Sequence, residues 1–240
     1  IELRCRSKAR FVMRYFAVVF ATAAVLFPAM AIAAKVGFYA GTFDPPTQAE
    51  IGMIRCALGD TGVRKQCAGI GKTIARLMVS VNPSHEQDTL ASARERVLMV
   101  KRALQKYGDR VEIITTPGNR EEKTRALLQD RNVEQLVQFI DRDSYQAAKS
   151  SPVSQDPRLR WVVFSLNKPG SSAPALDPKA GSPNVNLFIE IEQPPGSSAS
   201  AIQKVIQSGG ATAGLIDPAV KVVIEKLSLY QEVSEELAKL

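Results

Sequence analysis

The sequence predicts an α/β domain built on an open, doubly wound parallel sheet. Short apolar runs typical of buried strands alternate with stretches of helical periodicity, and this order indicates strand–helix–strand crossovers. The chain has 240 residues, 45% of them apolar, which is enough to form the hydrophobic core of such a domain. In such sheets, ligands bind at the carboxyl ends of the strands, where the strand order reverses. We therefore expect the loop after the first strand and the segment before a helix at Ser198 to converge on a site.

The strands and helices are predicted from apolar runs and from the glycine, proline and capping residues that end or begin them. Strands are predicted over residues 36–40, 77–81, 111–114, 161–166 and 185–191. Helices are predicted from Thr47 or Gln48 to 58, from Ser92 to 108, and over 121–128, 198–207, 218–227 and 233–240. In the 218–227 helix, Asp217 serves as cap and Pro218 as first-turn proline. Residues 133–140 are predicted to form a helical turn or loop, and residues 150–160 and 169–183 to form loops.

The first 34 residues have the composition of a leader. Met13-Arg14-Tyr15 precedes an apolar run over 16–34 that ends in small residues, and these are the parts of a secretory signal peptide. Export to the periplasm is therefore expected, with residues 1–12 as an upstream extension and 35–240 as the mature domain. The alternative is an uncleaved membrane anchor formed by residues 16–34, since the run nearly spans a bilayer.

Charge and cysteine content limit the classes of partner. The leader carries five basic residues against Glu2, so only +3 of the net charge of +7 belongs to residues 35–240. No basic stripe with interleaved aromatics is present there, which argues against nucleic-acid binding. Cys56 and Cys67 can pair in an oxidising compartment or stay as thiols, and the sequence leaves both open. One histidine and no CxxC pair argue against a conventional metal site.

The most specific motif lies at the end of the first strand. Residues 40–50 are Ala-Gly-Thr-Phe-Asp-Pro-Pro-Thr-Gln-Ala-Glu. A glycine at a strand end lets the backbone approach a phosphate, and the helix that follows offers free N–H groups to it. This segment resembles the GGTFDPxHxGH signature of nicotinate-mononucleotide adenylyltransferases and their cytidylyltransferase-like relatives.

Further segments resemble the same family in the expected order, so the resemblance covers residues 35–230. They are 81–85 for its Pro-Pro-His-Lys loop, 94–99 for its Arg-apolar-Met helix, 143–145 for its Asp-Ser/Ala-aromatic turn, 168–170 for its Arg-Pro-Gly, 198–203 for its Ser-Ser-Thr-x-Ile-Arg helix, and 216–230 for its closing Val-Pro-x-x-Val…Leu-Tyr pattern. The resemblance implies a Rossmann-like, HIGH-type nucleotidyltransferase fold. It also implies transfer of AMP from Mg·ATP to a nucleotide phosphate, with Mg²⁺ as the cofactor of an active enzyme.

The match fails at the cationic positions that drive this chemistry. Thr47 and Glu50 occupy the two histidine positions, Glu86 the lysine position and Gln203 the arginine position. Loss of one preorganised donor typically costs about 10²–10³ in rate. A carboxylate about 4 Å from a phosphate charge is repelled by roughly 4 kcal/mol at an effective dielectric near 20. No catalytic residue is assigned, because Thr47, Glu50 and Gln203 are degenerate positions.

What remains of the motif is a candidate binding surface. By the resemblance, the nucleotide-binding candidates are Gly41, Thr42, Phe43, Ser198, Ser200 and Lys168. The acceptor-binding candidates are His85 and Arg96, and Arg142 is a further cation near the pocket. The competing interpretation is that the charged residues are solvated surface groups and that Gly41 and Asp44 only shape a turn.

The sequence thus predicts an exported domain that binds a nucleotide or another small anion, or that serves as an interaction module, with little catalysis. The alternative is an active adenylyltransferase or cytidylyltransferase that uses Arg96, Arg142 and Lys168 as its cations. In a third hypothesis the domain binds no ligand and presents a surface to a protein partner. Contact with a membrane is expected only through an uncleaved leader.

Overall fold

Six parallel strands form the centre of the molecule in a computed structural model that describes residues 34–83, 89–167 and 184–231. They are β1 (Ala34–Gly41), β2 (Arg76–Val81), β3 (Val111–Ile114), β4 (Val133–Asp141), β5 (Leu159–Asn167) and β6 (Val185–Glu192). The strand order is β3-β2-β1-β4-β5-β6, and every neighbouring pair is parallel. This is the order of a Rossmann-like doubly wound sheet, so the predicted fold class is confirmed.

Seven helices within the described residues flank the sheet. They are α1 (Gln48–Ala57), α2 (Cys67–Ile70), α3 (Ala93–Leu104), α4 (Arg120–Gln129), α5 (Arg142–Ala148), α6 (Ala199–Gln207) and α7 (Pro218–Leu227), and two 3₁₀ turns cover Gln105–Arg110 and Pro152–Gln155. Side-chain oxygens cap the first turns of α1, α3, α4, α5, α6 and α7, as expected where backbone N–H groups lack helical partners.

A separate apolar core fills each face of the sheet. On one face α1, α2, α3, α6 and α7 contribute side chains such as Ile51, Met99 and Val223. On the other face α4 and α5 contribute Leu128 and Tyr145. Helices on both faces bury the strands from both sides, which explains why central stretches such as residues 38–40 and 161–164 are apolar without alternation.

One predicted element is wrong. Residues 133–140 form most of β4 rather than a helical turn or loop, and β4 pairs with β1 and β5 at the centre of the sheet. Gln135 and Gln138 interrupt the apolar run and conceal the strand in the sequence. Gln138 is nevertheless 1% exposed, and its Oε1 accepts a hydrogen bond of 3.4 Å from Thr124 Oγ1 of α4.

Other differences concern element boundaries. The helix predicted from Ser92 to residue 108 ends at Leu104 and continues as a 3₁₀ turn, in which Gly108 has a φ of 53°. Residues 142–148, predicted to hold only a turn, form helix α5 behind the cap Asp141. The predicted leader, the loop over 169–183 and the helix over 233–240 lie outside the described residues. Within the described part of the chain, no helix is long and apolar enough to cross a membrane.

A disulfide joins Cys56 near the end of α1 to Cys67 at the start of α2. Both cysteines are completely buried. The bond decides between the two states that the sequence left open. It also fixes the loop between α1 and α2 to the helix that begins at the candidate motif.

Candidate functional site

The strand order reverses between β1 and β4, and the candidate motif lies at the carboxyl end of β1. From β1 the chain passes to β2 on one side, while β4 pairs with β1 on the other side. A crevice at such a switch point is the usual ligand position in doubly wound sheets. The loop 42–47 and the first turns of α1, α4 and α5 all follow this edge.

The loop after β1 folds back onto the sheet through Phe43. Phe43 has a φ of 57° and is 1% exposed, and its ring lies 5.9 Å from the ring of Tyr39 between centroids. A Cβ atom on Gly41 would come within 2.9 Å of the Phe43 ring, so glycine is required for this close approach. Among the three nucleotide-binding candidates here, Phe43 is a core residue, Gly41 is half-buried and Thr42 is exposed.

Asp44 is a buried junction of four chain segments. Its carboxyl oxygens accept hydrogen bonds from Leu90 N (2.8 Å), Ala91 N (3.1 Å), Gln203 Nε2 (3.1 Å) and the Tyr230 hydroxyl (2.7 Å). Gln203 Nε2 also donates to the Asp44 carbonyl oxygen at 2.7 Å. Burial, followed by the bond to Asp44, raises the pKa of Tyr230. Asp44 therefore does more than shape a turn, and Gln203 brings α6 to the loop after β1.

Thr47 and Glu50 bond to each other at the start of α1. Thr47 Oγ1 accepts from Glu50 N at 3.1 Å, and Glu50 Oε2 accepts from Thr47 N at 2.8 Å, which is a capping box. Burial raises the pKa of the Glu50 carboxyl, the bonds from Thr47 oppose this shift, and Asp141 adds to it. Thr47 and Glu50, at the positions where the resembled family has its two histidines, thus both stabilise the first turn of α1.

Arg96 is buried beneath the site. Its Nε donates to the Ala91 carbonyl at 3.1 Å, and its Nη1 donates to the carbonyls of Thr42 (2.7 Å) and Asn82 (2.9 Å). Burial lowers the pKa of the guanidinium. At 0% exposure, Arg96 is not a solvated surface charge. It joins the loops that follow β1 and β2 to the segment that opens α3.

Two cations of α4 lie at the same edge and were missed from the sequence. Arg120 Nη2 donates to the Ala40 carbonyl at 3.2 Å, next to the reversal between β1 and β4. Lys123 Nζ donates to Ser80 Oγ at 3.1 Å and to Asn82 Oδ1 at 2.8 Å. Burial and then the charge of Arg120 lower the pKa of Lys123. The Asn-Arg-Glu-Glu sequence, a capping box at a helix that follows a strand, was the available signal.

The pKa of the Tyr39 hydroxyl is affected by both acidic and basic groups of the crevice. Burial raises its pKa well above the ordinary value, and the nearby carboxyl groups of Glu50 and Asp141 raise it further. Arg120 acts in the opposite direction. Acidic groups from α1 and β4 and a cation from α4 therefore act on one buried hydroxyl at the strand-order reversal.

The turn before α6 contains a polar atom without a partner. Ser198 Oγ caps α6 by accepting from Ala201 N at 3.3 Å, and Ser200 Oγ lies 3.4 Å from it. Both side chains are exposed. The preceding Ser197 is 2% exposed, and its Oγ has no hydrogen-bond partner among the described residues. A buried hydroxyl without a partner is uncommon, and a bound water, an ion or a ligand is the usual group that satisfies it.

The remaining candidates are only partly located. Arg142 is half-buried at the first position of α5, directly after β4. Lys168, His85 and Glu86 lie outside the described residues.

The residues at this edge do not fit a magnesium ion held by the protein. Within the described ranges, no group of three or more His, Cys, Asp or Glu side chains is arranged to hold a metal. Asp44, Glu50 and Asp141 each already accept hydrogen bonds from backbone N–H groups.

Comparison with known proteins adds no assignment. No protein-family model matches the chain, and no curated protein matches it significantly.

Proposed function

We propose that the carboxyl edge of the sheet binds a nucleotide or another small phosphate-bearing ligand, as part of a degenerate nucleotidyltransferase-like domain with little catalysis. The observation that carries the proposal is the junction of the β1 loop with α6 through Asp44 and Gln203. These are two segments in which the sequence resembles the phosphate-binding parts of the nicotinate-mononucleotide adenylyltransferases.

Binding is supported by donors that face the same edge. The first turn of α6 offers backbone N–H groups, which favour an anion. The buried Ser197 Oγ without a partner supplies a second, independent reason to expect a ligand there. Arg120, at the first turn of α4, adds a positive charge beside the strand-order reversal.

Weak catalysis is supported by the replaced positions. In the resembled chemistry, cationic side chains stabilise the charge on the transferred phosphate. Here Thr47 and Glu50 close a capping box, and Gln203 binds Asp44, so the polar groups at these positions are used within the chain. We infer binding without efficient nucleotidyl transfer.

The test is ligand binding by the purified protein. Thermal unfolding is measured with ATP, CTP, nicotinate mononucleotide and inorganic phosphate, each with and without Mg²⁺, because a ligand that binds only the folded state raises the melting temperature. We expect a stabilising ligand among these and a weaker effect in Arg120→Gln. The matched control is Arg125→Gln on the same helix, where Arg125 forms an exposed ion pair with Glu121.

Pyrophosphate release then separates a binder from an enzyme. Rapid turnover of a nucleoside triphosphate by the unmodified protein would reject the degenerate site and favour the active transferase. No stabilisation by any of these ligands would reject phosphate binding and favour a domain that only presents a surface to a partner.

Export is proposed separately, from the leader-like residues 1–34. Fractionation of cells and the N-terminal residue of the mature chain test it. Cleavage near Ala34 supports a periplasmic domain, whereas retention of residues 16–34 in the membrane fraction supports an anchor.

A further inference from the structure

Helix α6 is attached to the rest of the molecule by fewer buried side chains than α1. Of its nine residues only Ile202 is buried, whereas seven of the ten residues of α1 are buried. Ile206 of α6 packs against the same core but is only partly buried. Segments with few buried apolar side chains open locally at a lower free energy than the rest of a fold. We therefore expect α6 to open more easily than α1.

A glycine with a left-handed backbone lies on each side of α6. Gly196 has a φ of 69° and Gly209 a φ of 67°. No described atom lies within 4 Å of a Cβ placed at either position. Glycine is therefore needed here for its backbone conformation and not because a side chain would clash. Positions of this kind can absorb the changes in φ and ψ that a hinge requires.

The chain is fixed on both sides of the segment 196–210. Before it, Ile191 of β6 is buried and pairs with β5 in the sheet. After it, the Leu215 carbonyl accepts a hydrogen bond of 2.8 Å from Gln48 N at the start of α1. The segment can therefore move between two fixed ends without any displacement of the sheet or of α1.

One side chain joins the middle of α6 to the loop after β1. Gln203 Nε2 donates to the Asp44 carbonyl at 2.7 Å and to Asp44 Oδ2 at 3.1 Å. The Asp44 carboxyl group has other donors, among them Leu90 N at 2.8 Å and the Tyr230 hydroxyl at 2.7 Å. When α6 moves away, the carboxyl group keeps these donors, and water can replace Gln203. The contact of Gln203 with Asp44 is therefore reversible.

We propose that residues 196–210 form a lid on the phosphate site, which opens about Gly196 and Gly209 and is held closed by the bonds of Gln203 to Asp44. The proposal rests on the function proposed above, in which the first turn of α6 supplies N–H groups to an anion. Opening withdraws these donors, so a ligand that binds them stabilises the closed lid. Gln203 thus controls access to the site, at the position where the resembled family has an arginine.

Hydrogen exchange of the full-length, ligand-free protein, followed by mass spectrometry, tests the lid. The amides of residues 202–208, which bond within α6, should be at least about tenfold less protected than those of α1. Gln203→Met should speed exchange in α6 by a further factor of roughly ten, because two hydrogen bonds are lost, and should affect α1 less. Gln207→Met is the matched control, since Gln207 is exposed on the same helix, and it should change neither.

The link to the phosphate site is tested by exchange in the presence of inorganic phosphate or ATP, whichever raises the melting temperature. Exchange should slow more in α6 than in α1. Equal protection of the two helices without ligand, equal acceleration of both by Gln203→Met, or stabilisation by the ligand without slower exchange in α6 would each overturn the lid. If neither ligand stabilises the protein, the phosphate site fails, and exchange without ligand still decides whether α6 opens on its own.

Discussion

The hydrogen bonds of Asp44 show how one side chain organises the candidate site. Its carboxyl group receives two backbone donors from the segment before α3, one side-chain donor from α6 and one from Tyr230. With Asp44 5% exposed, every donor that is removed leaves an incompletely satisfied buried group.

Tyr230→Phe removes one of these donors and keeps the ring. We expect the free energy of unfolding to fall by about 1.5–3 kcal/mol, the usual contribution of a hydrogen bond to a charged group. Urea denaturation measures the change. Tyr107→Phe is the control, because the Tyr107 hydroxyl donates to Asp60 at 2.6 Å in a less buried place. An equal loss in both variants would contradict the special role of Asp44.

The raised pKa of Glu50 predicts how the free energy of unfolding changes with pH. Burial raises its pKa above the ordinary value of 4.5, so the folded state binds the proton more tightly than the unfolded state. This contribution is favourable in acid and is lost as the pH rises from the unfolded pKa through the folded pKa. Glu50→Gln should therefore be more stable than the parent at neutral pH and have no such advantage below pH 4.5.

The measurement is urea denaturation across that pH range. Glu122→Gln is the matched control, because Glu122 occupies the same capping-box position in α4 but is exposed. If the two variants gained stability equally at neutral pH, burial would not be the cause of the shift at Glu50.

At the scale of elements, the disulfide holds α1 and α2 together across a sequence separation of 11 residues. The same region contains a close backbone contact, since a Cβ on Gly71 would lie 2.5 Å from the Gly59 backbone. The bond therefore supports a loop that has little room for rearrangement.

Reduction should lower the free energy of unfolding by about 3 kcal/mol, because the unfolded chain regains the freedom of an open loop. Melting temperatures with and without reductant measure the effect. Cys56→Ala with Cys67→Ala should show a similar loss and no further response to reductant. A parent protein that is insensitive to reductant would show that the thiols are not joined in solution.

Most elements were predictable because their signals are local. The apolar runs of β1, β2, β3, β5 and β6 and the caps Thr47, Ser92, Ser198 and Asp217 lie within a few residues of the structure they determine. β4 was missed because Gln138 looks like a surface residue. Its burial depends on Thr124 from another element. The contacts of the candidate site were harder to predict for the same reason, because they join distant parts of the sequence. Gln203 and Tyr230 bind Asp44 across 159 and 186 residues.

For the whole molecule, the replaced positions connect stability with ligand binding. Thr47→His, Glu50→His and Gln203→Arg together should raise nucleotide affinity at least about tenfold, because an acidic group is removed and a cation is added. The same changes remove the capping box and the bonds of Gln203 to Asp44. The free energy of unfolding of the ligand-free variant should therefore be lower than that of the parent by at least about 1 kcal/mol.

Calorimetric titration with ATP and urea denaturation of the same sample measure both effects. Gln203→Glu is the control, since it has a similar size but adds negative charge and should weaken nucleotide binding. If the triple variant gained no affinity, the placement of the motif at this edge of the sheet would be wrong.

The bond between Tyr230 and Asp44 also has a consequence for the growing polypeptide. The two residues are separated by 186 positions. At synthesis rates of about 5–20 residues per second, the loop after β1 waits roughly ten to forty seconds on the ribosome for its last partner. Asp44 therefore gains its full set of hydrogen bonds only late in synthesis. Until then its carboxyl group and the apolar loop around it remain accessible to water and to chaperones.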